Sequence, residues 1–315
     1  MNILITGGAG FIGSHLAEYL LTINENQVVV VDNLSLGREK NIQHLISNQN
    51  FIFCKGDILN NEFITDVFKN YSFDIVFHLA ANSDISKSHS YPEIDLNNTF
   101  QTTFQILHHM KMYDVKRIVF ASSSAIYGNT DSLITENHGP LCPLSHYGAG
   151  KLASEGFISS FAENYGIKAW IARFPNVVGE RATHGVIYDF INKLINNEKT
   201  LEVLGDGNQT KPYLYVKDLI RALDSIYKNS KDQINIFNIG VETTTKVSEI
   251  ASMVIEEMNL TPEIIYKGGS IGWIGDVPKF QYNLDKIHSL GWKPLFTSNE
   301  AVRLSIVNIL KDLNY

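Results

Sequence analysis

The chain has 315 residues, of which 44% are hydrophobic and 19% charged, and its formal net charge is −7. This acidic balance disfavours nucleic acid or an anionic membrane as the main partner, and no apolar run reaches the ~20 residues that span a bilayer. The first residues lack the basic segment and cleavage site of a signal peptide, and the chain has only two cysteines. We therefore expect a cytoplasmic protein without a membrane segment.

Apolar runs alternate with helical patterns through the first half of the chain. Runs rich in Val and Ile predict strands that are buried on both faces, at Ile3–Thr6, Val28–Val31, Phe51–Cys54, Asp74–Leu79, Arg117–Ala121 and Lys168–Arg173. Helices are predicted between them, at Ile12–Ile23, Asn60–Asn70, Asp95–Tyr113 and from about residue 146 to Tyr165. This alternation predicts βαβ units and an α/β fold with a doubly wound parallel sheet.

The pattern loosens after residue 175. Helices are predicted at Val186–Asn197, Val216–Asn229 and Lys246–Met258, and Gly-rich loops with short strands at Leu201–Asn208 and Thr261–Asp276. We expect the run Ile236–Ile239 to return to the large sheet. The sequence thus predicts a first domain over residues 1–175, joined by residues 215–245, and a smaller α/β region over residues 176–315 that binds the substrate.

The stretch TGGAGFIGSH lies between the first predicted strand and the first predicted helix. Gly7, Gly10 and Gly13 have the spacing of a dinucleotide-binding turn, in which the glycines permit a tight turn, a close pyrophosphate and close packing of helix on strand. The helix that starts with Phe11 and Ile12 presents free N–H groups at its N-terminus. This context predicts a Rossmann fold that binds a dinucleotide.

Asp32 ends the second predicted strand, nineteen residues after Gly13. A carboxylate at this place accepts the ribose hydroxyls of NAD and repels the additional phosphate of NADP, so the predicted cofactor is NAD. Asp57 is a candidate acceptor for the adenine amino group. Further candidate cofactor contacts lie at or just after the ends of the strands: Asn33, Ile58, Leu79, Ala80, Ala81, Ser122 and Phe174.

Three side chains with acid–base chemistry follow the fifth predicted strand. Ser123 lies at its end, and Tyr147 and Lys151 share a helix face because they are four residues apart. A phenol with a pKa of about 10 is a poor base, but an adjacent ammonium and a cationic nicotinamide favour its phenolate form. The three residues predict a site that removes a hydroxyl proton while a hydride leaves for NAD. The alternative is that Tyr147 and Lys151 form only a surface pair.

The segments TGGAGFIGSHL, HLAA, ASSSAIYG and YGAGK, in this order, resemble the extended short-chain dehydrogenase/reductase family, and more narrowly its sugar-nucleotide epimerase/dehydratase branch. RFPNVVG, LGDGNQTKPYLYVKD and GDVPK extend the resemblance over nearly the whole chain. The resemblance implies oxidation at C4 of a nucleotide-diphosphate sugar by NAD. It also implies that Ser123 and Tyr147 lie at the O4 hydroxyl and that Lys151 bridges Tyr147 and the nicotinamide ribose.

The same resemblance implies substrate contacts in the second half of the chain. Asn176, Arg181, Lys211 and Asp276 are the candidate contacts of the nucleotide sugar, and Lys87 is a candidate contact of the cofactor pyrophosphate. Relatives often carry Arg at the position of Lys211, and Lys provides a point charge in place of a bidentate fork. The nucleotide therefore stays open between a UDP-linked and a GDP-linked sugar.

The long helix that starts near Asp95 and the helix that starts near Tyr147 carry apolar stripes. In the family that the chain resembles, these two helices pack against their copies, so we expect a homodimer. The ten histidines show no metal-ligand spacing, and no metal is expected. His108 and His109, on the long helix, are expected to face solvent or a partner.

Departures from the resembled family distinguish its branches. The 4,6-dehydratases carry Thr-Asp-Glu at the positions of Ser123, Ser124 and Ala125, whereas the decarboxylases have Glu and the 3,5-epimerase/reductases Cys at Ala125. Because this chain has none of these groups, a C4 epimerase is favoured. A C4 dehydrogenase that releases a 4-keto sugar, for example from a GDP-heptose, fits the same residues. A non-catalytic nucleotide sensor is the alternative of another class, but it needs no Tyr147 and Lys151 in register.

Overall fold

Two compact units form the chain, and the computed structural model describes residues 1–83, 89–130, 132–269 and 280–315. The first unit comprises Met1–Ile126, His146–Arg173 and Leu223–Phe237, and the second comprises Tyr127–Ser145, Phe174–Ala222 and Asn238–Tyr315. This division differs from the predicted boundary at residue 175, because residues 127–145 belong to the second unit and not to the first. Within the described ranges, no helix combines the length and the apolar character needed to cross a membrane.

A seven-stranded sheet forms the centre of the first unit. Its strands, numbered along the chain, are β1 (Asn2–Thr6), β2 (Gln27–Asp32), β3 (Phe51–Lys55), β4 (Ile75–His78), β5 (Arg117–Ser123), β6 (Lys168–Phe174) and β11 (Ile234–Asn238). They lie in the order β11-β6-β5-β4-β1-β2-β3, and the pairs β1–β2, β2–β3, β1–β4 and β4–β5 are parallel. The predicted doubly wound sheet is confirmed, and its strand order reverses between β1 and β4, where such sheets bind ligands.

The helices of the first unit cover the apolar faces of these strands. They are α1 (Phe11–Leu21), α2 (Asn61–Asn70), α3 (Thr102–Met112), α4 (His146–Tyr165) and the second part of α6 (Val216–Asn229). The Asn60 side chain caps α2 by accepting the N–H of Phe63 at 3.1 Å. Apolar residues of the strands share one buried cluster with residues of α2, α3 and α4, which fixes these three helices on the sheet.

The predicted helix over Asp95–Tyr113 is divided into three parts. A short turn at Glu93–Asp95 is followed by a π-helical stretch at Leu96–Gln101 and then by α3. Single-turn π stretches inside helices are frequent at functional sites. The expectation that His109 faces solvent or a partner is wrong: its ring is fully buried and pairs with Thr65 of α2 at 3.1 Å and with the carbonyl of Gln105 at 2.8 Å.

Short strands and helices make up the second unit. Its strands are β7 (Asn176–Val178), β8 (Thr200–Val203), β9 (Thr210–Lys211), β10 (Tyr213–Tyr215), β12 (Thr245–Lys246) and β13 (Glu263–Tyr266), which form the pairs β10–β7, β12–β9 and β13–β8. Its helices are α5 (Val186–Asn196), the first part of α6, α7 (Val247–Glu257), α8 (Asp285–His288) and α9 (Ser298–Asp312). A capping box between Thr297 and Glu300 starts α9, which packs with β10.

Candidate active site

The glycine turn joins β1 to α1 at the carboxyl edge of the sheet. Gly7 has a φ of +69°, and a Cβ added at Gly13 would lie 2.2 Å from the Gly7 carbonyl oxygen, so no side chain fits there unless the backbone moves. The N–H of Gly10 donates to the same carbonyl at 3.1 Å. The N–H groups of Phe11, Ile12 and Gly13 belong to the first turn of α1, where a helix offers them no internal acceptor.

The ends of β1 and β4 come together beside this turn. A Cβ at Gly7 would lie 2.9 Å from the backbone nitrogen of Ala80. The N–H groups of Leu79 and Ala80 donate to the carbonyl and the hydroxyl of Thr6, at 3.2 Å and 3.3 Å. Leu79, Ala80 and Ala81 therefore lie directly beside the glycine turn, at the point where the strand order reverses.

Asp32 lies on the other side of the glycine turn and is 8% exposed. Its Oδ2 accepts the N–H of Ala9 at 3.0 Å and its Oδ1 accepts the N–H of Leu34 at 2.8 Å. Burial raises the pKa of this carboxyl, and the backbone donors act in the opposite direction. Each carboxylate oxygen has a second lone pair, so Asp32 can accept further hydrogen bonds at the place where its predicted ribose contact lies.

Asn33 and Asp57 connect the ends of β2 and β3. The Asn33 amide donates to Asp57 Oδ2 at 2.9 Å, and the N–H of Leu59 donates to Asp57 Oδ1 at 2.8 Å. Ile58, the residue after Asp57, is buried. Their assignment as adenine-side contacts stays a prediction.

Ser123, Tyr147 and Lys151 meet where β5 ends and α4 begins. The Ser123 hydroxyl lies near the Tyr147 phenol and lowers the pKa of that phenol. Lys151 Nζ lies 5.8 Å from the centre of the Tyr147 ring and donates to the Ala121 carbonyl at 2.6 Å. Because Lys151 is only 2% exposed, the two helix residues are not a surface pair.

Burial opposes charge on both groups of this pair. Tyr147 is half-buried, and burial of its phenol oxygen raises its pKa to about 12 although the neighbouring Ser123 hydroxyl lowers it. Desolvation lowers the pKa of Lys151 to about 7, while the carboxylates of Asp95 and Glu155 act in the opposite direction. In the protein alone, burial outweighs the stabilisation of the phenolate that the sequence predicts from Lys151.

A buried ion pair lies next to Lys151. Arg173 donates to Glu155 through Nη2 at 2.6 Å and through Nε at 3.0 Å. The hydroxyl of Ser122, a predicted cofactor contact, donates to the same carboxylate. Sequence reasoning missed Glu155 and Arg173, although a signal existed: Tyr147, Lys151 and Glu155 recur at a spacing of four residues on one helix face.

Sequence reasoning also missed Asp95 as a member of this cluster. Its carboxylate is 1% exposed, and its Oδ1 accepts hydrogen bonds from the Asn82 amide at 3.0 Å and from the Thr99 hydroxyl at 3.1 Å. Asp95 acts electrostatically on both Tyr147 and Lys151. The sequence gives no local signal for it, because the contact depends on how the π-helical stretch packs on α4.

The second unit holds three of the predicted substrate contacts. Asn176 is exposed on β7 and pairs with Tyr213 of β10, two residues after Lys211 of β9. Arg181 is half-buried with a φ of +67°, and its N–H donates to Asp312 at 3.1 Å. The roles of these residues stay predictions.

The roles of three other predicted positions also stay predictions. Phe174, a predicted cofactor contact, ends β6 and is buried. Lys87 and Asp276, predicted to contact the pyrophosphate and the nucleotide ribose, lie outside the described residues.

A sequence model described as "NAD dependent epimerase/dehydratase family" matches residues 3–240. The chain belongs to this family. It is also similar in structure to a UDP-galactose 4-epimerase, with 36% identity and a TM-score of 0.88 over 99% of this chain and 100% of that one.

Two further epimerase structures extend this similarity. A UDP-glucuronic acid 4-epimerase from Bacillus cereus, in complex with UDP-glucuronic acid and NAD, is 28% identical with a TM-score of 0.90. A UDP-glucose 4-epimerase from Thermotoga maritima, with UDP-glucose, is 32% identical with a TM-score of 0.89. In both cases 99% of this chain and 100% of the other chain are covered.

The cofactor of this NAD-dependent epimerase/dehydratase family member is NAD. The residues present fit that group, because a Cβ at Gly13 would close the turn at which a dinucleotide backbone packs and because Asp32 lies beside this turn. Gly7, Gly10 and Asp32 are the residues that would hold it. When bound, NAD supplies a reversible hydride acceptor.

Proposed function

We propose that this protein interconverts a UDP-linked sugar and its C4 epimer. The observation that carries the proposal is that the Ser123 hydroxyl, the Tyr147 phenol and the buried Lys151 lie together at the sheet edge of an enzyme that uses NAD. The side chains can take a proton from one sugar hydroxyl and return it, which is the acid–base work that inversion at a single carbon requires.

In the proposed reaction, the Tyr147 oxygen receives the proton of the C4 hydroxyl as C4 is oxidised to a ketone. In this proposal, Ser123, whose hydroxyl lies near the phenol, holds the C4 hydroxyl in place for Tyr147. The Lys151 ammonium favours the phenolate and thereby offsets part of the cost of burying a charge on Tyr147. After the keto sugar has turned its other face, Tyr147 gives the proton back to O4.

The turn after β5 supports a reaction confined to C4. Ser124 and Ala125 follow Ser123 in a 3₁₀ turn, and neither side chain is a carboxylate or a thiol. A dehydration across C5 and C6 needs an additional acid and base next to this serine. The similar solved structures are named as 4-epimerases, which also favours epimerisation over release of a 4-keto sugar.

The nucleotide is proposed to be uridine diphosphate. Two of the similar structures hold UDP-glucuronic acid and UDP-glucose, whereas a GDP-linked sugar has no such support. Asn176, Arg181 and Lys211 are the proposed nucleotide-sugar contacts among the described residues, together with Asp276.

The proposal is tested by incubating the purified protein with a panel of UDP- and GDP-linked sugars. We expect NMR to show the 4-epimer of at least one UDP-sugar, without accumulation of absorbance at the reduced-nicotinamide band. Accumulating NADH together with a 4-keto product would instead identify a dehydrogenase. Failure to convert any sugar, in a protein that binds NAD, would contradict the proposal and favour a nucleotide sensor.

We also infer that the protein is a homodimer. On the α3–α4 face, the ring of Phe157 lies 5.1 Å from that of Phe100 and 5.8 Å from that of Phe104, and yet Phe157 is 41% exposed. An apolar cluster of this kind at the surface is typical of an interface. In a two-fold symmetric dimer, the same apolar face of a second copy covers it.

Light scattering after size-exclusion chromatography tests this inference. We expect about twice the chain mass of 35.4 kDa for the unmodified protein and one chain mass for Phe157→Glu. Leu295→Glu, at an exposed position of the second unit, is the matched control and should stay dimeric. A monomeric unmodified protein would contradict the inference.

A further inference from the structure

Asp95 is a buried acid that the proposed reaction does not use. Two neutral groups, the Asn82 amide and the Thr99 hydroxyl, donate to its Oδ1. Its Oδ2 is fully buried and has no hydrogen-bond partner among the described residues. A buried carboxylate with one unsatisfied oxygen is costly, and such groups persist where their charge has a purpose.

The backbone around Asp95 packs directly on the helix that carries the reacting pair. A Cβ at Gly150 would lie 3.1 Å from Thr99 Cγ2 and 3.3 Å from the carbonyl oxygen of Asp95. Gly150 lies in the turn between Tyr147 and Lys151, so this turn of α4 rests on the segment that starts at Asp95. The absence of a side chain at Gly150 permits this close approach.

We propose that Asp95 is a positioning residue for the C4 reaction, whose buried charge fixes the pH range over which Tyr147 and Lys151 hold the protons that the reaction uses. This inference rests on the proposed function. A negative charge disfavours the phenolate of Tyr147 and favours the ammonium of Lys151, so it raises the pKa of both groups. Asp95 thus offsets part of the desolvation that lowers the pKa of Lys151.

The other ionisable groups around the pair act differently. Glu155, on α4, also favours the Lys151 ammonium, but it is paired with Arg173 of β6. His78, on β4, is fully buried, and burial together with Lys151 lowers its pKa to about 3, so it is neutral near pH 7. Among the described residues, Asp95 is the carboxylate that has neutral hydrogen-bond donors and acts on both Tyr147 and Lys151.

The test is the pH profile of kcat/KM for the NAD-loaded Asp95→Asn variant. Asn has nearly the same shape and retains the oxygen that Asn82 and Thr99 contact. Removal of the charge lowers the pKa of Tyr147 and that of Lys151. We therefore expect the acidic and the basic limb of the profile to move to lower pH by on the order of one unit, and the assignment of the two groups to the two limbs does not change this direction. Asp95→Glu, which keeps the charge, should restore the limbs.

Asp66→Asn is the matched control, because Asp66 is an exposed carboxylate of α2 in the same unit. It removes the same charge and should leave both limbs in place. A second readout is the phenolate absorbance of Tyr147, taken as the difference between each protein and its Tyr147→Phe derivative. In the Asp95→Asn background this titration should also shift to lower pH.

Each outcome supports or overturns the inference. An active Asp95→Asn enzyme whose limbs and phenolate titration stay in place would overturn it, and so would a shift of the same size in Asp66→Asn. If Asp95→Asn does not fold, Asp95→Ser is measured in its place. If neither neutral variant folds but Asp95→Glu does, the charge of Asp95 is needed for folding, and the inference is overturned. Failure of the proposed function is separate: it would appear as full turnover by Tyr147→Phe in the unmodified background.

Discussion

The glycine turn and the Ser123–Tyr147–Lys151 cluster belong to the same sheet edge of the first unit, but they are built from different parts of the chain. The turn consists of backbone, and a single Cβ at Gly13 would lie 2.2 Å from a carbonyl oxygen. The cluster consists of buried side chains, and burial lowers the pKa of Lys151 to about 7. The glycine turn should therefore be most sensitive to added side-chain volume, and the Ser123–Tyr147–Lys151 cluster to a change of charge.

The largest effect on stability is expected where a buried charge loses its partner. Glu155→Gln leaves the Arg173 guanidinium without its carboxylate, at a position where both side chains are buried. The free energy of unfolding should fall by about 3–5 kcal/mol, measured by urea denaturation. Glu62→Gln, at an exposed position of α2, should change it by less than about 0.5 kcal/mol. Equal effects of the two variants would show that the charge at Glu155 has no special importance.

The glycine turn should respond to one added methyl group. Gly13→Ala forces the backbone of the turn to shift, and we expect NAD affinity to fall on the order of 10- to 100-fold in a protein that still folds. Calorimetric titration with NAD measures the change. Gly156→Ala is the control, because a Cβ at Gly156 on α4 meets no atom within 4 Å. If Gly13→Ala bound NAD as tightly as this control, the volume argument would be wrong.

A smaller effect, on the preference for NAD over NADP, is expected from the charge of Asp32. Asp32→Asn keeps an oxygen for one of the two N–H groups, of Ala9 and Leu34, that contact different carboxylate oxygens, and it removes the repulsion of a 2′-phosphate. The ratio of NADP to NAD dissociation constants should decrease by about tenfold, or about 1.4 kcal/mol. An unchanged ratio would contradict the ribose-binding role that the sequence predicts for Asp32.

Local spacing predicted the parts of the site that depend on neighbouring residues. The three glycines and the four-residue interval between Tyr147 and Lys151 are such patterns, and the structure gives them the expected close turn and shared helix face. Glu155 continues the same four-residue spacing on α4, but Asp95 and Arg173 come from separate segments, and their contacts depend on how these segments pack. Burial of His109 and the π-helical stretch are tertiary effects of the same kind, because periodicity alone does not show which face of a helix its neighbours cover.

The most direct test of the central claim is the rate at which Tyr147→Phe forms the 4-epimer of the UDP-sugar that the unmodified protein converts. Phe keeps the ring and removes the oxygen that exchanges the proton, so the rate should fall by about 10²–10⁴-fold while the NAD content stays the same. Tyr165→Phe, at the other end of α4, should retain the rate of the unmodified protein. A Tyr147→Phe enzyme that formed the 4-epimer as fast as the Tyr165→Phe control would contradict the account.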